Sequence, residues 1–390
     1  MRVLIVGEAD SRTALAAVRG LGRAGWLVGV GSMAPGCLAT ASRWTKQLHR
    51  VPSPELAVGP FLDAVNQAIA RVGYELVIGS DDASVMALSA GRAAIQATVP
   101  YGPHDAVLAA TDKLRLGEVA ARAGFRTPRT VSGTEANLDA WTGPALVKCR
   151  MHWRPARRGP EPRLEAMLVP DRAQAARRVG EIVRAGGEPM LQEVVTGQLM
   201  AFVAVVDQRG RLVVRLQQRA ERTWPVPTGV SVRAATVAVD PELAKRAAVL
   251  LEDVGWFGLV QLQFLATDES DPWLIDVNGR PYGSLALAHA AGLNPVDSWA
   301  RLATGRRPVP EEADATVGVR YQWLEGDLRR ACSERRGGLL RDVVDCLRYA
   351  PAAAHSVSSL TDPWPGVRYA GHLAVRLARK LRSARGGTGP

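Results

Sequence analysis

Leu259-Val260-Gln261-Leu262-Gln263-Phe264 and Leu274-Ile275-Asp276-Val277-Asn278-Gly279-Arg280 are two apolar runs with polar residues at alternate positions. On a β-strand, side chains two apart share a face. If the runs are neighbouring antiparallel strands, joined by the acidic loop 268–271, then Gln263, Asp276 and Asn278 point the same way. An oxygen cluster with one carboxylate suits Mg²⁺, which takes few protein carboxylates and fills its shell with phosphate oxygens and water. Arg280, two residues on, faces the same cleft and can hold a phosphate or carboxylate through a bidentate fork. The bland alternative is a polar strand end followed by an ordinary Asn-Gly turn.

Working outward, residues 190–195 (Met-Leu-Gln-Glu-Val-Val) are a strand stopped by Thr196-Gly197. There Gln192, Glu193, Val194 and Val195 form an apolar edge able to offer backbone N–H and C=O groups to a flat ring. Residues 200–206 and 211–217 alternate as an antiparallel pair, and 241–255 reads as a helix ending at Gly255. Further upstream, Thr111-Asp112-Lys113 opens a helix with Thr111 or Asp112 as N-cap. Lys148 ends a short buried strand, Pro144–Lys148. The chain has five lysines, at 46, 113, 148, 245 and 380, against 49 basic residues in total, so arginine supplies the ordinary surface charge. A lysine ammonium is a compact charge suited to nucleotide phosphates, although a lone lysine more commonly sits at the surface with its stem covered.

Before these pieces, residues 2–7, 15–22, 26–30, 55–72 and 75–79 alternate strand and helix, the grammar of a small open parallel sheet. The first turn reads Gly7-Glu8-Ala9-Asp10-Ser11 and lacks Gly-x-Gly-x-x-Gly, which disfavours a dinucleotide-binding domain. Asp81-Asp82 could bind substrate or cap a helix, and the cap is the preferred reading. The length of 390 residues allows two or three domains, and 47% apolar against 22% charged residues excludes a disordered chain. No apolar run is long enough to span a bilayer. Scattered cysteines and six histidines give no disulfide or zinc spacing, and a reducing cytoplasm is expected. The net charge is +11, of which six positive charges lie in 363–390, leaving +5 for the rest, so no nucleic-acid partner is expected.

The order Asp112-Lys113, Val147-Lys148, Gln192 to Gly197, Gln263-Phe264 and Asp276-Val277-Asn278-Gly279-Arg280 resembles the ATP-grasp superfamily, most of all carboxylate-amine ligase-like proteins with a biotin-carboxylase-type core and no biotin domain. The resemblance covers about 1–305. It implies an α/β fold: a small open parallel-sheet domain at 1–105, a central subdomain at 106–188, and a metal-side subdomain at 189–305. A C-terminal extension with a basic helical tail follows at 306–390. It implies ATP and Mg²⁺ (or Mn²⁺) as cofactors, with Lys113 and Lys148 on the phosphates and the stretch Gln192, Glu193, Val194 and Val195 at adenine. Gln263, Asp276 and Asn278 would hold the metal. Arg280, with Arg219 or Arg222, would face the transferred phosphate and the acyl substrate. Arg219 to Pro225 and Thr228 to Ser231 look like the basic loop of that group. The implied reaction phosphorylates a carboxylate and couples the acyl phosphate to an amine, in small-molecule or envelope-precursor biosynthesis.

The sequence also departs from the family pattern. Cys149-Arg150-Met151-His152-Trp153-Arg154 and the residues to Gly159 replace a glycine-rich lid. Asp276 stands where Glu is usual, Gln263 replaces a second carboxylate, and Gln198-Leu199-Met200 replaces an acidic ribose contact. The alternative expectation is a non-catalytic ATP-binding module. Leu373, Leu377 and Leu381 recur at helical spacing among Arg376, Arg379, Lys380, Arg382 and Arg385. Such a stripe reads either as a solvated terminal helix or as a peripheral contact, through 367–385, with an anionic membrane or acidic partner. A homodimer is compatible with all of these readings.

Overall fold

The computed structural model describes residues 1–34, 36–151, 165–226, 228–267, 271–310 and 313–372. The expectations for His152, for most of the loop after Lys148, and for the basic stripe from Leu373 onward lie outside the described residues. Among those residues, no helix is long and apolar enough to cross a membrane.

The N-terminal part contains β1 (Arg2–Val6), α1 (Arg12–Arg23), β2 (Leu27–Gly31), β3 (Thr45–His49), α2 (Val58–Val72), β4 (Leu76–Gly79) and α3 (Asp82–Ala90). Its four strands are all parallel, in the order β3-β2-β1-β4. Val3–Val6 and the whole of β4 are buried, as in a sheet covered on both faces. Ser11 caps α1 by accepting the Ala14 N–H at 3.1 Å, and the buried stripe Leu15, Val18 and Leu21 turns that helix onto the sheet. The strand order reverses between β1 and β4, so a crevice opens at their carboxyl ends. Gly7 forms one wall with φ 117°, and a Cβ there would lie 2.2 Å from an Asp81 carboxylate oxygen. Only glycine fits.

The central part holds α4 (His104–Thr111), α5 (Lys113–Arg122), β5 (Thr130–Ser132), α6 (Glu135–Ala140), β6 (Ala145–Cys149), β7 (Met167–Val169), α7 (Arg172–Arg184) and β8 (Pro189–Gln192). A four-stranded antiparallel sheet, β5-β8-β6-β7, covers its own small core of Leu138, Val147, Val169, Ile182 and Leu191. The strand expected to run to Val195 ends at Gln192. Residues 193–197 are a non-strand link, and β9 starts at Gln198.

A larger sheet follows, from β9 (Gln198–Val206), β10 (Leu212–Trp224), β11 (Val230–Val237), β12 (Gly258–Ala266), β13 (Trp273–Asn278), β14 (Ala313–Asp314), β15 (Arg320–Gln322) and β16 (Ala353–His355). Its order is β13-β12-β9-β10-β11-β15-β16, with β14 beside β10. Helix α8 (Pro241–Val254) precedes β12, α9 (Leu285–Ala290) and α10 (Pro295–Ala303) follow β13, and α11 (Leu324–Glu334) and α12 (Leu339–Tyr349) separate β15 from β16.

One reading changes here. The stretch from Arg219, read as a basic loop, is the end of β10 through Trp224, paired with β11 across a bulge around Glu221. Strand pairing satisfies backbone groups that a loop there would leave to water. In the region after 305, expected as a C-terminal extension, β14, β15 and β16 extend the sheet and buried ion pairs fasten it. Arg222 and Arg233 of the sheet both bind Asp327 and Asp345 of α11 and α12. Arg19 of α1 binds the fully buried Asp362 at 2.8 Å, and Ser42 Oγ and Arg43 N–H also donate to that carboxylate. These N–H and O–H donors, with Arg19, outweigh burial and hold Asp362 below the usual carboxylate range.

Candidate active site

Asp112 is the hinge between α4 and α5. Its backbone is extended (φ -79°, ψ 107°), and its side chain accepts the Leu114 and Arg115 N–H groups, so Lys113 becomes the first residue of α5. Arg150, just past β6, grips the same carboxylate through two N–H···O bonds of 2.9 and 2.5 Å. Desolvation raises the Asp112 pKa, but Arg150 and the Leu114 N–H more than reverse it. That fork ties the start of α5 to the end of β6, the two elements that carry Lys113 and Lys148.

Lys113 is 8% exposed, and its Nζ lies 3.5 Å from Asp276 Oδ1 on β13. Lys148 is half-buried on β6. Desolvation, then repulsion from Lys113, pushes its ammonium down to about 7 against the pull of Asp276. Lys113, Lys148 and Asp276 thus act on one another from three separate elements.

Strands β12 and β13 pair antiparallel, with Gln261 opposite Asn278 and Gln263 opposite Asp276. All four side chains therefore share one face. Gln263 Nε2 donates to Gln261 Oε1 at 3.2 Å, and Asn278 Nδ2 donates to the same oxygen at 3.4 Å. Both amide NH₂ groups are thereby turned towards Gln261, and the amide oxygens of Gln263 and Asn278 are the opposite ends. With Asp276 they make an oxygen set of one carboxylate and two carbonyls. This chemistry fits Mg²⁺ completed by phosphate oxygens and water. Among the described residues, no group of three or more His, Cys, Asp or Glu is placed to hold a metal. Any ion here therefore rests on the amides as well as on Asp276.

Arg280 leaves β13 and crosses to the N-terminal part. Its Nε donates to Asp82 Oδ1 at 2.6 Å and its Nη2 to Asp82 Oδ2 at 3.2 Å. Burial lowers the guanidinium pKa, but Asp82, then Asp81 and Asp276, outweigh it and raise it. Asp82, Lys113, Met151 and Asp276 line one narrow cleft. Asp81 is the cap of α3, accepting the Ser84 N–H, whereas Asp82 is the partner of Arg280.

On the other wall, the buried Gln192 donates to Thr130 Oγ1 at 2.9 Å. Glu193 is exposed, its carboxylate accepts the Arg129 N–H at 3.1 Å, and its own N–H donates to the Arg129 carbonyl. Val194 and Val195 are half-buried in the link before β9. Arg219 is half-buried on β10, opposite Met200 of β9. Arg222 is placed differently from the expectation: it is engaged by Asp327 and Asp345 at the C-terminal helices.

Several solved structures share the fold of this chain. An L-amino acid ligase from Bacillus licheniformis matches at TM-score 0.60 and 15% identity, over 80% of this chain and 75% of that one. The fold is ATP-grasp. An N5-carboxyaminoimidazole synthetase from Staphylococcus aureus matches at TM-score 0.64 and 12% identity, over 86% of each chain. The biotin carboxylase domain of a 2-oxoglutarate carboxylase from Hydrogenobacter thermophilus, solved with MgADP, matches at TM-score 0.63 and 14% identity, over 82% and 73%. The family model described as ATP-grasp in the biosynthetic pathway with Ter operon matches residues 190–327. That stretch spans β9 to β13 of the ATP-grasp core and runs on into β15 and α11. No curated protein matches the chain.

Three residues of this site carried no such role in the sequence reading, Asp112 beyond its cap, Arg150 and Gln261, and Asp82 was read with Asp81 chiefly as a cap. Gln261 had a signal, since it stands two residues before Gln263. Asp82 and Arg150 had none, because their partners are distant in sequence.

Proposed function

We propose that this protein is an ATP- and Mg²⁺-dependent ligase that joins a carboxylate to an amine. The observation that carries the reading is the convergence of Lys113, Lys148 and Asp276, with Lys113 Nζ 3.5 Å from Asp276 and the Lys148 ammonium depressed by burial and then by Lys113. Two cations held this close without a full set of counter-charges are suited to a polyphosphate. Asp276 with the oxygens of Gln263 and Asn278 would hold Mg²⁺, which when bound supplies neutralisation of phosphate charge. Val194 and Val195, in the link after β8, would meet the adenine through backbone groups, as the resemblance implies.

In the proposed reaction a carboxylate oxygen attacks the γ-phosphorus, the bond to the bridging oxygen breaks, and ADP leaves. The amine nitrogen then attacks the acyl carbon, the carbon–oxygen bond to phosphate breaks, inorganic phosphate leaves, and the nitrogen loses a proton. Lys113 and Lys148 stabilise charge on the moving phosphoryl group. Arg280, oriented by Asp82, holds the carboxylate or the acyl phosphate. Arg219 is a candidate for the same task from β10. No protein nucleophile takes part.

The test is ADP release from Mg·ATP with panels of carboxylic acids and amines, alongside calorimetric binding of Mg·ATP. The reading requires nucleotide binding and an ADP signal that needs both an acid and an amine. Lys148→Ala and Asp276→Ala should each remove that signal. Unchanged turnover in both variants overturns the site. Nucleotide binding without turnover on any pair supports a non-catalytic module instead.

A further inference from the structure

Four half-buried or buried arginines around the domain junctions have a carboxylate: Arg19 has Asp362, Arg150 has Asp112, Arg233 has Asp327 and Arg280 has Asp82. Arg12 does not. It is the first residue of α1 and half-buried, and no carboxylate pairs with it among the described residues. Its guanidinium carbon lies 3.8 Å from the centre of the Trp323 ring, and its Nη1 donates to Tyr321 Oη at 3.0 Å. Tyr321 is fully buried and donates in turn to the Gly283 carbonyl at 2.9 Å. A Cβ on Gly283 would stand 3.5 Å from Arg12 Nη2 and meet nothing nearer.

These contacts place Arg12 beside the segments that carry Arg280 and Asp82 into the cleft. Gly283 is three residues past Arg280, at most about 10 Å along the chain. Next to Arg12, Thr13 Oγ1 donates to the Ser80 carbonyl at 3.3 Å, two residues before Asp82. The ring of Trp323 covers one face of the guanidinium and Tyr321 takes one edge. A guanidinium has five N–H donors in its plane, so most of them remain for a ligand. A partly desolvated, permanently charged group without a counter-charge is costly. Stacking on an aromatic face with one hydroxyl bond holds it still without neutralising it.

We propose that Arg12 is a substrate-anchoring residue that takes a non-reacting carboxylate of one of the two substrates. Trp323 and Tyr321 from the C-terminal extension set its position. The substrate class is then a molecule with one reacting end and a separate carboxylate, such as a free amino acid acting as amine or a dicarboxylic acid. This deepens the ligase reading and rests on it, since the reacting end is assigned to the Arg280 and lysine side of the cleft.

The experiment is calorimetry on the full chain, with and without Mg²⁺ and a non-hydrolysable ATP analogue. The probes are the free L-amino acids, succinate and glutarate, each beside its methyl ester or primary amide at one carboxylate. Amino acids against dicarboxylates distinguish the two sources of the anion. At least one probe should bind the wild type, and Arg12→Gln should weaken it about 10- to 100-fold, the value of a charged hydrogen-bonded contact. Arg12→Lys should lie between. Capping the carboxylate should cause the same loss in the wild type and no further loss in Arg12→Gln. Melting temperature and analogue affinity, followed in both variants, separate a folding defect from a lost contact. The proposal is overturned if Arg12→Gln binds the probe within twofold of wild type, if capping still costs affinity in that variant, or if no probe binds. Loss of analogue binding by the wild type would instead sink the ligase reading.

Discussion

Lys148 offers the most direct test of the site, because nucleotide binding should pull a proton onto it. In the free protein its ammonium is pushed down to about 7 by desolvation and by Lys113. A free lysine titrates near ~10.4. At pH 8 about nine-tenths of Lys148 is therefore neutral, at pH 7 about half, and at pH 6 about one-tenth. A triphosphate beside it favours the charged form and should restore a value well above 8. Binding of Mg·ATP should then take up close to ~0.9 proton at pH 8, ~0.5 at pH 7 and ~0.1 at pH 6. Calorimetry in two buffers of different ionisation enthalpy measures that number. Lys148→Met should abolish the pH-dependent part while leaving any contribution from the nucleotide itself. The same shift has a stability consequence. Between pH ~7 and ~10.4 the unfolded chain binds more protons at this position than the folded one, so stability rises with pH across that window. Lys148→Met should melt higher than the wild type at pH 6.5, and the gap should close towards pH 10. Proton uptake that is flat from pH 6 to 8, or equal in Lys148→Met, would refute the arrangement of the two lysines around phosphate.

Three further outcomes follow from the geometry. Gln261→Leu removes the acceptor that turns the Gln263 and Asn278 amides, and should raise the Mg²⁺ concentration that half-saturates nucleotide binding about tenfold, as loss of a ligand-orienting partner does. A Mg²⁺ titration equal to wild type would show that the amides are not metal ligands. Asp82→Asn breaks the Arg280 fork and should cost about 3 kcal/mol in urea unfolding. Adding Arg280→Met should recover part of that loss, since the two residues are coupled. Asp362→Ala leaves Arg19 buried without its carboxylate and should cost about 3–5 kcal/mol. Because Asp362 is held below the usual carboxylate range, its contribution is complete above about pH 4 and is lost as pH falls through the depressed value. The variant should therefore lose less stability than the wild type on acidification, measured by urea titration at pH 6 and pH 3.

The oxygen face of the site was legible because a strand has a period of two. Once Leu259–Phe264 and Leu274–Asn278 are read as neighbours, Gln263, Asp276 and Asn278 must share a side, and Gln261 follows by the same count. The N-terminal sheet was legible because β1, β2 and β4 are short apolar runs at helix-length intervals. The end of β10 was not. Arg219-Ala220-Glu221-Arg222 carries too much charge to look like a strand, and Arg222 is matched by Asp327 and Asp345, more than a hundred residues later. The strands after residue 310 are two or three residues long, too short for any periodicity.

Local pattern alone determined the strand–helix alternation of the N-terminal sheet, the two lysines at element ends, and which polar side chains line one face of β12 and β13. Those properties depend on backbone periodicity and capping, which act over a few residues. Tertiary structure alone decided that Asp82 holds Arg280, that Asp112 and Arg150 lock the lysines' elements together, and that Trp323 lies under Arg12. Each joins residues far apart in sequence, and a charge's partner is set by where the folded chain brings it, through burial and Coulomb interaction over a few ångströms, which no local pattern encodes.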